Sequence, residues 1–299
     1  MRRAARLRPG DTVVVVAPAG PVRPESLKQG VDVLRSWGLT VRVAPHVLDR
    51  HAKLGYLAGS DAHRAADLRE AWCDPEVSAV ICARGGYGCH RMVDLLDWDE
   101  MAEAGPTVFA GSSDVTALHA AFGRETGVST LFSPMVATAA FDADAQAHLR
   151  ATLFEPETVQ CLSGPSTATA GHGVVEGVTV GGTLSLIAAE LGVPGASAPE
   201  GAIVLLEDVG EDPYRVDRML TQLLRAGWFT GVNGVALGSW VDCGEVRPVI
   251  ADLLGSVGLP MVWELGFGHC AGALTVPLGA HAVLDADNGT LTVTEPALV

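Results

Sequence analysis

Thr107-Val-Phe-Ala-Gly-Ser-Ser-Asp-Val-Thr116 is the stretch around which the rest of the chain is organised. Its apolar run at residues 108–110 is typical of the end of a buried strand, and the apolar residues after Asp114 recur at the spacing of a helix. A serine on a strand-to-helix turn exposes its hydroxyl beside helix N-terminal N–H groups, which can bind a developing oxyanion. The alternative interpretation is that Ser112 or Ser113 caps the helix. The motif Gly-x-Ser-x-Gly is not present.

The segments before this stretch alternate between strand and helix patterns. Short apolar runs at residues 13–17, 41–44 and 77–83 predict strands, and helical patterns cover residues 24–37 and 60–72. This alternation predicts an α/β fold, a parallel sheet with helices on both faces. In such sheets function gathers at the carboxyl ends of the strands. Two loops fall there, Arg84-Gly-Gly-Tyr-Gly88 and Gly111-Ser-Ser-Asp114.

The second half of the chain differs from the first in composition and in its secondary-structure patterns. Residues 155–171 are rich in Gly, Pro, Ser and Thr and indicate a linker. Strand patterns are then more frequent, and Asp287-Asn-Gly289 predicts a hairpin turn. The strands are predicted at residues 174–180, 203–206, 232–237, 261–263, 274–278 and 291–293, and helices at 183–191 and 214–226. We therefore predict an N-terminal α/β domain over residues 1–160 and a β-rich mixed C-terminal domain over residues 165–299.

Composition limits the classes of function. The chain has 299 residues, 48% of them hydrophobic, which is globular and sufficient for a large core. A formal net charge of -15 disfavours nucleic acid as a partner. The six cysteines show no CxxC or Cys/His ligand spacing, so we expect no zinc site and a reducing compartment. No segment resembles a signal peptide or a membrane span, and we expect a cytoplasmic protein without cofactor or membrane partner.

Three loops offer side chains for chemistry. Gly85 and Gly86 follow a strand and could supply an oxyanion-binding N–H, cradle a phosphate or form an ordinary turn. Glu207 abuts the apolar run 203–206 and could orient a histidine or be a solvated surface group. His269 lies in a glycine-bounded loop after a strand, and a lone histidine is more often structural or solvated than catalytic. These residues place a nucleophile, an acid and a base in the order Ser, Glu, His.

These motifs together resemble a known family, the LD-carboxypeptidases of the S66 serine peptidases. The resemblance extends over essentially the whole chain, with the motifs in the family's order. It rests on Arg84-Gly-Gly-Tyr-Gly88, Leu95-Leu-Asp-Trp-Asp99, Gly111-Ser-Ser-Asp-Val-Thr116, Gly181-Gly-Thr-Leu-Ser185, Leu206-Glu-Asp-Val-Gly-Glu211, Pro213-Tyr-Arg-Val-Asp-Arg-Met-Leu220 and Gly266-Phe-Gly-His269. It implies an N-terminal α/β sandwich domain, a β-rich C-terminal domain, an active site between them, a Ser-His-Glu triad and a homodimer.

The resemblance also implies roles for individual residues. Ser113 would be the nucleophile, His269 the general base, and Glu207 the acid that orients it, with Glu211 as the alternative acid. The backbone N–H groups of Gly86 and Asp114 would form the oxyanion hole. The loop residues Arg84 and Gly85 would contact substrate, Arg84 by binding a terminal carboxylate. The alternative for Arg84 is a structural ion pair.

Two positions depart from the family pattern. The family often has His-Gly-Pro where this chain has Phe132-Ser-Pro134, and often an aromatic residue where this chain has Ser112. The family's main activity is cytoplasmic removal of the terminal D-alanine from murein tetrapeptides during cell-wall recycling. A second branch hydrolyses peptidyl-nucleotide antibiotics of the microcin C type and gives self-immunity. The loops at 84–88 and 213–218 favour the murein branch; a non-catalytic small-molecule binding protein is the hypothesis from another class.

Overall fold

Two β-sheets organise the protein in the computed structural model, which describes residues 1–164 and 169–299. The strands are β1 (Thr12–Val16), β2 (Thr40–Val43), β3 (Val77–Cys82), β4 (Val108–Gly111), β5 (Thr130–Phe132), β6 (Cys161–Leu162), β7 (Thr169–Ala170), β8 (Val174–Thr183), β9 (Ile203–Val209), β10 (Gly234–Val241), β11 (Met261–Val262), β12 (Val276–Leu278), β13 (His281–Asp285) and β14 (Thr290–Val293). Part of the predicted linker, residues 165–168, lies outside the described residues.

Eight α-helices connect the described strands. They are α1 (Pro24–Ser36), α2 (Asp61–Cys73), α3 (Trp98–Glu103), α4 (Thr116–Ala121), α5 (Ala143–Phe154), α6 (Leu184–Ala189), α7 (Pro213–Arg225) and α8 (Arg247–Gly255). Short 3-10 turns cover Cys89–Arg91, Val93–Leu95, Ser113–Val115 and Pro156–Thr158, and a π-helical turn covers Phe122–Thr126.

The first sheet has the strand order β12-β5-β4-β3-β1-β2. Its five N-terminal strands are parallel to one another, so the predicted parallel α/β sheet is confirmed. The sixth strand, β12, comes from the far end of the chain and pairs antiparallel with β5. The sheet of the N-terminal half is therefore completed by a segment of the C-terminal half.

The second sheet has the order β6-β14-β13-β8-β9-β10-β11-β7 and is mixed. Its centre, from β8 to β11, is parallel, and the flanking strands are antiparallel. The predicted turn at residues 287–289 joins β13 and β14, which pair antiparallel. The fold class is thus the expected one, whereas the domain boundary at residues 160–165 stays a prediction.

Apolar periodicity explains how the N-terminal elements pack. The valines of β1 are buried, as a central parallel strand requires. Helix α1 buries Leu27, Val31 and Leu34, which recur at helical spacing and form one face. The last residues of the chain join this same core through Ala297 and Leu298.

The structure differs from the sequence expectations at several elements. Helices α3 and α8 are absent from the predictions. Strand β9 extends past residue 206 to Val209 and includes both Glu207 and Asp208. The two acids are tolerated inside the strand because each carboxylate accepts hydrogen bonds, Glu207 from Thr183 and Asp208 from the N–H groups of Ser185 and Val209.

Candidate active site

Ser113 occupies a strained turn at the carboxyl end of β4. It begins the 3-10 turn Ser113–Val115, is partly exposed, and has a backbone φ of 60°. Among the described non-glycine residues, only Asp242 and Glu264 share a left-handed φ. Neither Ser112 at the start of the 3-10 turn nor Val115 at the start of α4 makes a side-chain capping bond. The capping interpretation of the serine pair is therefore wrong.

Buried polar side chains stabilise this turn through hydrogen bonds. The Asp114 carboxylate accepts a hydrogen bond from the Cys89 N–H at 2.7 Å. On α4, His119 Nε2 donates to the Gly111 carbonyl at 2.9 Å, and its Nδ1 accepts from the Thr130 hydroxyl at 2.8 Å. Burial lowers the pKa of His119 to about 4, so the ring is neutral near pH 7. We infer that His119 braces the serine turn and takes no part in chemistry.

The glycine loop 84–88 packs directly against Ser113. A Cβ at Gly85 would lie 2.7 Å from the Ser113 Cβ and 3.0 Å from its hydroxyl oxygen, so only glycine allows this approach. Gly86 has a φ of 119°, and its N–H meets no acceptor among the described residues. The N–H of Gly86 is therefore available to bind a ligand, and it lies one residue after Gly85, which contacts Ser113.

Arg84 begins this loop and is half-buried. Its guanidinium donates a hydrogen bond to the Pro21 carbonyl at 2.9 Å. It forms no ion pair with any described residue, so the structure gives no support to the structural ion pair considered from the sequence.

Glu207 and His269 come together although they are far apart in the chain. Glu207 Oε2 accepts hydrogen bonds from His269 Nδ1 at 2.7 Å and from the His269 backbone N–H at 3.1 Å. Glu207 is fully buried, so the interpretation as a solvated surface acid is wrong. Glu211 instead lies in the following loop, where its carboxylate is 3.6 Å from the Arg215 guanidinium.

The surroundings of His269 adjust its protonation. Burial lowers its pKa, but the hydrogen bond and negative charge of Glu207 raise it, and the net result is a pKa above the ordinary value of 6.5. Burial also raises the pKa of the neighbouring Asp208 to about 6. Because Glu207 engages Nδ1, the Nε2 of His269 is the nitrogen free to exchange a proton with a substrate or nucleophile.

Thr183, which no sequence motif marks as functional, links this pair to the serine helix. Its hydroxyl donates to Glu207 Oε1 at 2.5 Å, and its backbone N–H donates to the Thr116 hydroxyl at 3.1 Å. Thr116 begins α4, three residues after Ser113. The Gly181-Gly182 pair before Thr183 is the sequence feature that could have indicated this close approach. A Cβ at Gly182 would lie 2.6 Å from the Thr116 hydroxyl oxygen. Hydrogen bonds therefore connect Thr116 on α4, through Thr183 and Glu207, to the imidazole of His269.

The Ser113 hydroxyl itself makes no hydrogen bond with a residue in the described part of the chain, His269 included. Such contacts are often long in enzymes without substrate and tighten when it binds. A recess lined by Ser239, Trp240, Trp263 and Cys270 lies next to the loop that carries His269. Outside this region, His46, Asp49 and His63 form a group that could hold a metal ion.

No helix in the described ranges combines the length and the apolar character that a membrane crossing demands.

Comparison with known proteins assigns both halves of the chain to one family. Residues 13–133 match the model of the LD-carboxypeptidase N-terminal domain, and residues 176–284 match that of the LD-carboxypeptidase C-terminal domain. A Streptomyces coelicolor protein provisionally named a carboxypeptidase is 59% identical over 99% of this chain and 97% of its own length. The murein tetrapeptide carboxypeptidase of Pseudomonas aeruginosa is 32% identical over 91% of this chain and 92% of its own.

Solved structures share the fold. A muramoyltetrapeptide carboxypeptidase from Oxalobacter formigenes aligns with a TM-score of 0.80 and 27% identity, covering 95% of this chain and 99% of its own. An MccF-like protein from Bacillus anthracis aligns with a TM-score of 0.87 and 22% identity, covering 98% and 99%. At that identity the second likeness concerns the fold alone.

Proposed function

The chain belongs to the LD-carboxypeptidase family, and from this premise we propose that it is a serine carboxypeptidase that removes the terminal D-alanine from murein tetrapeptides. The bond cleaved is the L,D-peptide bond before that residue. The observation that supports the proposal most is the buried Glu207–His269 pair, joined through Thr183 to the helix that follows Ser113.

The first half of the reaction forms an acyl-enzyme. The Ser113 hydroxyl attacks the carbonyl carbon before the D-residue, and His269 Nε2 takes the hydroxyl proton. Glu207 keeps Nδ1 protonated and stabilises the imidazolium that results. The oxyanion of the tetrahedral intermediate accepts hydrogen bonds from the N–H groups of Gly86 and Asp114.

The second half releases the products. As the intermediate collapses, the C–N bond breaks and His269 returns its proton to the nitrogen of D-alanine, which leaves as the amine. His269 then deprotonates a water molecule, which attacks the ester carbonyl of the acyl-enzyme. The proton returns to the Ser113 oxygen, and the tripeptide leaves with a new carboxylate.

We assign substrate binding to the glycine loop. Arg84 has no carboxylate partner among the described residues, and a guanidinium binds a carboxylate through two parallel hydrogen bonds. A carboxypeptidase must recognise the free carboxylate of its terminal residue, so Arg84 is suited to this role. Gly85 contacts Ser113 directly, so a substrate bound along this loop would lie next to the nucleophile.

The murein substrate is supported by relatives named for that activity. The Pseudomonas aeruginosa relative is named a murein tetrapeptide carboxypeptidase, and the Oxalobacter formigenes structure a muramoyltetrapeptide carboxypeptidase. The likeness to MccF-type proteins supports only a common fold, so hydrolysis of a peptidyl-nucleotide is the alternative that an assay must address. The cytoplasmic location and the homodimer remain predictions from the family.

A paired assay tests the proposal. We expect the wild-type protein to release D-alanine from murein tetrapeptide, followed by mass spectrometry, and to turn over a peptidyl-adenylate mimic far more slowly. Ser113→Ala should lose several orders of magnitude in turnover. Ser112→Ala is the matched control, because the neighbouring serine has no assigned role. Wild-type turnover by Ser113→Ala would refute the mechanism, and preference for the adenylate mimic would refute the substrate.

A further inference from the structure

A second group of chemically reactive side chains lies away from the proposed catalytic residues. His46 and Asp49 lie in the turn after β2, and His63 lies in the first turn of α2. One ligand atom from each of the three is within 4.8 Å of the other two. We propose that they form a binding site for a divalent transition metal ion, with Zn²⁺ as the preferred ion.

The donor set matches the chemistry of zinc. Two imidazoles and one carboxylate are ligands that Zn²⁺ accepts readily, and three protein ligands leave a fourth position for water. Ligand atoms about 2.0–2.1 Å from a tetrahedral ion lie roughly 3.4 Å apart. His63 Nδ1 and Asp49 Oδ2 are already 3.3 Å apart. The three ligand atoms all lie within 4.8 Å of one another, so the other two separations need to shorten by at most about 1.4 Å.

His46 is held in the form that a metal ligand needs. Its Nδ1 contacts Asp67 Oδ1 at 2.7 Å, and its backbone N–H donates to Asp67 Oδ2 at 3.0 Å. Asp67 is only 4% exposed, and His46 is the only residue in the described ranges that binds its carboxylate. A carboxylate behind an imidazole fixes the ring and the Nδ1–H tautomer, which leaves the Nε2 lone pair for the metal.

The other two ligands are held by their backbone surroundings. The His63 N–H donates to the side chain of Ser60, the N-cap of α2, at 3.1 Å. Gly59, with a φ of 79°, packs so closely that a Cβ there would lie 2.8 Å from the Asp49 Cβ. The imidazoles of His46 and His63 stack with ring centroids 4.0 Å apart, and the two rings would move apart by about 1 Å when both direct a nitrogen at one tetrahedral ion. These contacts bring the three groups together before any ion binds.

The site is open on one side, as an exchangeable ion requires. The side chains of Asp49 and His63 are 42% and 52% exposed, so an ion can enter and keep a water ligand. The net charge of -15 raises the local concentration of cations around the protein. Sequence spacing alone gave no sign of this site, because its ligands come from two elements separated by a loop.

Calorimetric titration of the untagged protein with Zn²⁺ tests the proposal. We expect one equivalent to bind, and His63→Ala to weaken binding at least tenfold. Asp67→Asn should weaken it by about 10–100-fold, because it removes the charge behind His46. Bound Co²⁺ should give the visible absorption of a tetrahedral site, which does not depend on enzyme activity.

Two control variants separate this site from incidental metal binding. His172→Ala removes a histidine that is 95% exposed and 3.5 Å from Asp287, and Cys161→Ser removes an exposed thiol. Both should bind Zn²⁺ as the wild type does. Absence of saturable one-to-one binding, or unchanged binding by His63→Ala in a protein with normal circular dichroism, would overturn the proposal.

Discussion

At the scale of single residues, the catalytic proposal depends on how closely two backbone segments approach. Ser113 has a left-handed backbone, and Gly85 faces its side chain without a Cβ. A non-glycine residue in this conformation costs roughly 1–2 kcal/mol, which the surrounding fold must offset. A strained, partly exposed serine at the end of a strand is also the geometry of other strand-to-helix nucleophile turns.

Gly85→Ala should therefore disable the enzyme while the protein stays folded. The added methyl would lie 2.7 Å from the Ser113 Cβ, and displacing the nucleophile by about 1 Å costs on the order of 100-fold in kcat/KM. Gly55→Ala is the control, since a Cβ there meets nothing within 4 Å. Steady-state kinetics on murein tetrapeptide, with circular dichroism, measure both; full activity in Gly85→Ala would contradict the described approach.

The pH profile should report the Glu207–His269 pair. His269 must be neutral to act as a base, and its pKa is raised above 6.5, so kcat/KM should fall as the pH drops below that raised value. In Glu207→Gln the negative charge that raises the pKa is gone. The acid limb of the kcat/KM profile should therefore move to lower pH, and kcat/KM at the plateau should be lower than in the wild type.

Glu211→Gln provides the matched comparison, because Glu211 is the alternative acid and lies beside Arg215 instead of His269. Its acid limb should coincide with that of the wild type. If Glu211→Gln moved the limb and Glu207→Gln did not, the acid would have been assigned incorrectly.

At the scale of elements, the register of two strands sets the position of the proposed acid. Thr183 at the end of β8 is directly opposite Glu207 on β9, and this pairing allows the hydroxyl to reach the carboxylate. Both side chains are buried, so no water can replace the threonine as a donor.

Thr183→Val should lower kcat/KM about 10–100-fold, because a hydrogen bond to a buried charge contributes about 1.5–3 kcal/mol. Thr183→Ser keeps the hydroxyl and should retain most of the activity. Steady-state kinetics on both variants compare their kcat/KM values, and thermal unfolding checks that both are folded. Equal activity in both would show that the hydroxyl does not position Glu207.

Most elements could be predicted from the sequence, because parallel strands buried on both faces read as apolar runs and α1 carries a regular apolar face. The extent of β9 could not. Its last residues are acidic, and only the neighbouring strands make burial of Glu207 and Asp208 possible. Thr183 was missed for the same reason, since its partner lies on another strand.

At the scale of the whole molecule, the two halves of the chain are interleaved. Strand β12 pairs with β5 in the N-terminal sheet, and Ala297 and Leu298 enter the N-terminal core. His90 Nε2 also lies 2.7 Å from a carboxylate oxygen of Glu190, a further contact between the two halves. Sequence patterns predicted both halves but not this exchange, because a short apolar run does not specify which sheet it joins.

Thermal unfolding should consequently occur in one cooperative transition. Unfolding of the C-terminal half of the chain would remove β12 and the last residues, exposing the edge of β5 and part of the N-terminal core, so neither half can melt without weakening the other. Differential scanning calorimetry measures this through the ratio of calorimetric to van't Hoff enthalpy, expected near one. Two resolved transitions would show that the halves are thermodynamically independent.

The placement of β12 also has a consequence for biosynthesis. Val276 emerges from the ribosome almost half a chain length after Phe132, its partner on β5. At ordinary elongation rates the nascent N-terminal sheet waits on the order of 10 s with one edge unpaired. Translation must therefore be nearly finished before β12 can pair with β5. Until then, the unpaired edge of β5 is accessible to chaperones or to other nascent chains.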